Sequence, residues 1–129
     1  MSGSLVLWIG RVLTGVFALF MVGASIAPKL AGAQVARDAM VKLGWDERFI
    51  PLIGLIELSC LMLHLYPRTS ILGSVLMTGL LGGSIAAQLR ADQPLFSHVL
   101  FGVYLGLAMW GGLWLRDPDL RTFLPFRAI

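Results

Sequence analysis

The chain has 129 residues, 57% of them hydrophobic and 13% charged, with a formal net charge of +3 and mean hydropathy +0.83. A water-soluble domain of this size has too little interior for that much apolar surface, so the composition points to an integral membrane protein of one domain, 1–129. The positive charge is scattered rather than blocked, which argues against nucleic-acid binding, and one cysteine excludes an internal disulfide or a CxxC motif.

The first apolar segment, 5–27, is long enough to cross about 30 Å of hydrocarbon. Arg11 interrupts it about two turns from its start. Ala31-Gly32-Ala33 resembles a signal-peptidase site, but no basic residue precedes the apolar stretch and Arg11 breaks it, so a retained helix is the better reading. Pro28 and Lys29 mark its expected end, a helix stop followed by an interfacial cation.

Residues 32–49 form the one long polar stretch. Val35, Ala39, Met40 and Leu43 recur at helical spacing, opposite Gln34, Arg37, Asp38 and Lys42. This predicts a short amphipathic helix within 33–43 lying on the membrane surface, either a connector or a lid over the bundle, ended by Gly44.

The second span is expected at 50–66, PLIGLIELSCLMLHLY after Ile50. Glu57 lies near its middle, and an ionisable group inside such a run is a functional candidate. Cys60 and His64 follow at i+3 and i+7, so the three share one helical face. Pro67-Arg68-Thr69 reads as a tight turn, with Thr69 or Ser70 capping a third span over 70–89. That span carries Gly79 and Gly83, a GxxxG pair that predicts close approach of another helix. The fourth span is expected at 97–115, capped by Ser97, with His98 in its first turn and a second pair at Gly102 and Gly106. The fold class is therefore all-α, an up-down bundle of four transmembrane helices with a short interfacial helix between the first two. Lys and Arg are nearly balanced across the two sides; Arg11, near the first helix start, favours both termini in the cytoplasm.

Depth arithmetic at 1.5 Å per residue brings Arg11 and Glu57 to within about 5 Å in level, predicting an Arg11–Glu57 pair inside the bundle. His64, close to a helix end, is expected to face the interface rather than to ligate. His64 and His98 fall at opposite membrane faces and cannot share a metal, so no metal site is expected. Cys60 and the methionines read as packing residues.

Three segments also carry a family resemblance: GRVLTGVFALFMVGASIAPKLAG, LGWDERFIPLIGLIELSCLMLHLYPRTSILGSVLMTGLLGGSIAAQLR and FSHVLFGVYLGLAMWGGLWLRDPDLRTFLP. Together they resemble the DoxX-like membrane proteins over nearly the whole chain. The resemblance implies a small four-helix protein of the bacterial inner membrane, and a link to quinone-dependent redox or oxidative-stress complexes. Glu57 matches the acid of the family's second helix, and Lys29-Leu30 the Lys-Leu after the first. Many relatives carry a histidine near the end of the third helix where this chain has Gln88, which is neutral and a poor metal ligand.

The leading functional expectation is a redox-linked or quinone-binding membrane subunit, with Glu57, Cys60, Gln88 and His98 as cofactor-binding candidates. An alternative is a small intramembrane acid–base enzyme, such as an isomerase, using Glu57 with Arg11 and His64 on a lipophilic substrate. A third is a structural protein that binds a membrane partner. The partners expected are lipid, a lipophilic small molecule, and either further copies of the chain or a membrane complex.

Overall fold

The computed structural model describes residues 3–127. Its elements are α1 (Gly3–Ala31), α2 (Gln34–Lys42), α3 (Glu47–Leu65), α4 (Pro67–Arg90), α5 (Leu95–Arg116) and α6 (Pro118–Arg121). No strand occurs among the described residues. Helices α1, α3, α4 and α5 are each long and apolar enough to span a membrane. Each turns large apolar side chains outward, Leu19 at 76% exposure and Leu107 at 68%. Such a surface is stable against lipid and would aggregate in water.

The spans close into a ring. The first packs against the last along most of its length, α3 packs on α4, α4 on α5, and the end of α1 leans on α3. Phe17, Met21, Ile26, Cys60, Leu61, Met77, Leu81 and Met109 fill the centre.

Four sequence expectations are corrected. Pro28 does not stop the first helix, which continues to Ala31. A wide turn at Val22–Ile26 precedes it, in which the Ala27 N–H reaches back five residues to the Val22 carbonyl. Proline lacks an N–H and crowds the carbonyl four residues earlier; the shifted register accommodates both defects. The helix ends instead at Gly32, in the left-handed region at φ 70°.

The caps also differ. Thr69 donates to the Leu63 carbonyl (2.7 Å) and Ser70 to the Tyr66 carbonyl (2.9 Å), so both secure the previous helix end rather than capping α4. The last span starts at Leu95, ahead of Ser97, whose hydroxyl lies 2.8 Å from His98 Nδ1.

The predicted GxxxG contact at Gly79 and Gly83 is absent among the described residues. A Cβ on Gly79 or Gly83 would meet nothing within 4 Å. Close approach occurs at other glycines. A Cβ on Gly73 would run into the His64 backbone, and one on Gly112 would lie 2.6 Å from Thr14 Oγ1. Gly102 of the second pair presses on Ile85, while Gly106 barely touches Leu81.

Finally, His64 does not face the interface. It is fully buried, with Nδ1 2.7 Å from Ser74 Oγ and its ring edge-on to Phe17. The Gly73 notch brings α4 so close to the His64 backbone that the His64 ring is enclosed while Met62 and Leu65 stay exposed.

Gly73→Ala is therefore expected to lower the detergent melting temperature by the equivalent of about 1–3 kcal/mol, the usual cost of overpacking. Gly83→Ala should leave it unchanged or raise it, by up to about 1 kcal/mol of helix propensity. Differential scanning fluorimetry of both variants checks this; equal melting temperatures would contradict the assigned contacts.

Candidate functional site

Glu57 lies two turns into the apolar part of α3, about 10 Å along the axis from Ile50 by helical rise. It is 6% exposed and makes two charge-assisted contacts. Lys29 Nζ donates to Oε1 at 2.7 Å, and Ser25 Oγ donates to Oε2 at 2.6 Å. Lys29 Nζ also donates to Ser25 Oγ at 2.6 Å, which closes a three-membered polar ring. The other ion pair among the described residues, Arg48–Asp46, is exposed.

The local sequence explains the ring. Ser25 and Lys29 are four apart and share a helical face only because α1 stays helical through Pro28. Helical side chains tilt toward the N-terminus, so a lysine at the end of α1 aims back into the bundle. Gly54, one turn before Glu57, admits the α1 end: a Cβ there would lie 3.0 Å from Lys29 Cβ and 3.2 Å from a Leu30 methyl.

The predicted Arg11–Glu57 pair is thus corrected. Arg11 is exposed and its guanidinium sits 5.2 Å from the Trp8 ring centroid. The same N-terminal tilt that sends Lys29 inward sends Arg11 out toward the terminus-side interface, where Trp8 supplies a cation–π face.

Two cavities flank the pair. One, of about 290 Å³, is lined by Ser25, Lys29, Glu57, Gln88 and apolar side chains of α1, α4 and α5, including Phe20, Leu81 and Phe101. Helix α2 contributes Ala36, Ala39 and Met40 to it. The second, of about 350 Å³, lies between α3 and α4 and shares Lys29, Met40, Glu57 and Ser84 with the first. Gly79 and Gly83 line this second space, so their missing side chains make room beside Glu57 rather than a helix contact. Arg90 Nη2 donates to the Leu43 carbonyl at 3.0 Å and ties the end of α2 to α4.

The remaining sequence candidates separate. Gln88 lines the first cavity, and its buried Oε1 has no hydrogen-bond partner. Cys60 belongs to the core and borders an outer groove, not the cavities beside the pair. His98 is exposed and lines neither cavity. His64 lies toward the other end of the bundle, against Ser74 and Phe17. Sequence reasoning missed Ser25 and placed Lys29 at the headgroups. The i, i+4 spacing of the two, one turn apart before an apolar helix with a lone acid, was the available signal.

A model of the DoxX-like family matches residues 12–112, which include Ser25, Lys29, Glu57 and Gln88. No curated protein and no solved structure matches the chain.

Glu57→Gln should destabilise the protein by about 3–5 kcal/mol, because it strands the Lys29 ammonium in a nearly dry site. Lys29→Met should do the same to the carboxylate. The double variant Lys29→Met with Glu57→Gln should be more stable than either single. Thermal unfolding in one detergent measures all three, and additive losses would contradict the pairing.

Proposed function

The chain belongs to the DoxX-like family and is an integral membrane protein, and from that premise we propose that it binds a lipophilic small molecule beside the Lys29–Glu57 pair. The observation that carries this reading is the polar ring standing in the wall of a mostly apolar cavity between the spans. Apolar walls with a few fixed polar groups are the usual make-up of small-molecule sites.

The donor count favours a ligand with an acceptor oxygen. A lysine ammonium has three N–H donors, and Lys29 commits two of them, to Ser25 and Glu57. The third is left for a ligand carbonyl. Gln88, whose amide supplies both donor and acceptor, lines the same space. A carbonyl-bearing lipophile such as a quinone suits this set, and it gives the protein a place as a redox-linked membrane subunit. Helix α2 then serves as an interfacial lid, since its apolar face closes the cavity mouth.

Binding is favoured over acid–base catalysis. Both Glu57 oxygens accept hydrogen bonds from protein groups, so neither is directed at a substrate proton as a general base must be.

Organic extraction and mass spectrometry of protein purified in mild detergent test the proposal. A quinone or similar lipophile should co-purify near one per chain. Ser84→Leu narrows both spaces beside the pair while leaving the hydrogen bonds of the pair in place, and should reduce that yield at least fivefold with the melting temperature held. Wild-type protein that yields only bulk phospholipid, or a Ser84→Leu variant with full occupancy, would overturn the proposal.

A further inference from the structure

A second polar cluster lies at the terminus side of the bundle. All four spans contribute to it: Thr14 from α1, His64 from α3, Ser70 and Ser74 from α4, and Arg116 from α5. Thr14 packs against Gly112, and the Arg116 stem fills the notch left by Gly10 one turn away. His64 meets α1 through Phe17, with ring centroids 5.8 Å apart. Arg116 lies within electrostatic range of the His64 ring.

Four buried polar atoms here have no hydrogen-bond partner among the described residues: Thr14 Oγ1, His64 Nε2, Arg116 Nε and Arg116 Nη2. Thr14 is 7% exposed and His64 0%. Buried polar groups are almost always satisfied, and four unsatisfied in one region mark the place of an occupant.

The hydrogen-bond directions define its chemistry. Ser74 Oγ donates to the Ser70 carbonyl at 2.8 Å, which uses its one proton. Its 2.7 Å contact with His64 Nδ1 therefore has the ring donating. In the neutral ring Nε2 is then a bare acceptor. The cluster thus offers N–H donors from Arg116, an acceptor at His64 Nε2, and a Thr14 hydroxyl that can be either.

We infer that this end of the bundle binds a hydroxylic oxygen, an internal water or the hydroxyl of a small ligand, held by Arg116, Thr14 and His64. A hydroxyl accepts from the guanidinium and from Thr14 while donating its proton to Nε2. A simple oxyanion does not fit, because it has no proton for His64, and an apolar group would leave all four atoms unsatisfied. The site is separate from the Lys29–Glu57 cavity and stands whether or not a lipophile binds there.

The chain has two histidines, so ring-¹⁵N-labelled protein in lipid nanodiscs gives two sets of ring signals, with His98 assigned by His98→Gln. The expected His64 signature is a protonated Nδ1 and an unprotonated Nε2 displaced by an accepted hydrogen bond. Thr14→Val, which keeps the shape, should move Nε2 toward the free-acceptor position. Magnetisation transfer from water to Nε2 identifies the occupant as water. Its absence, with the hydrogen-bonded shift retained, identifies a ligand hydroxyl. A protonated Nε2, a free-acceptor shift in the wild-type protein, or no response to Thr14→Val overturns the inference.

Discussion

Lys29 reaches Glu57 only because α1 remains helical beyond the point where a proline should have ended it, and much of the architecture follows from that contact. Were the chain to break at Pro28, Lys29 would be free to seek the headgroups and Glu57 would be left as an unpaired acid in the bilayer, a costly arrangement. The widened turn at Val22–Ile26 resolves the conflict by shifting the hydrogen-bond register before the proline arrives. Ser25 sits inside that turn, so the device that rescues the helix also supplies the third member of the polar ring.

Glycines divide into two groups with opposite roles. Gly10, Gly54, Gly73, Gly102 and Gly112 sit where a Cβ would strike a neighbouring helix, and they set the closeness of the bundle. Without a hydrophobic drive between helices in lipid, such close van der Waals approach carries much of the association. Gly79 and Gly83 belong to the second group. They face open space and enlarge the cavity between α3 and α4. The same residue type thus tightens one side of Glu57, where Gly54 admits the end of α1, and opens space on the other, beside Gly79 and Gly83.

This division gives the molecule two dissimilar polar ends. At one, Lys29, Ser25 and Glu57 satisfy one another and stand beside about 290 Å³ of space under α2. At the other, the buried Thr14 and His64 and the half-buried Arg116 keep polar atoms unsatisfied among the described residues. Between them the core of Phe17, Met21, Cys60, Leu61, Met77 and Met109 is apolar. Glu57, Cys60 and His64 share a face of α3, yet Cys60 is a packing residue there, and the face serves the two ends separately.

The class, the four spans to within a few residues, a short helix within 33–43 and an acid, Glu57, inside an apolar run were all legible in the chain. These follow from composition and periodicity, which are local and survive any arrangement of neighbours. Which cation meets Glu57 was decided by tertiary structure. Depth arithmetic pointed to Arg11 and left Lys29 at the headgroups; the direction of helical side chains, together with the Gly54 notch, brings Lys29 in instead. The burial of His64 and the openness of Gly79 and Gly83 were likewise invisible, because a glycine pair reads the same in sequence whether a helix or a void stands against it. Periodicity reports which residues share a face; what lies opposite that face is a property of the packed bundle alone.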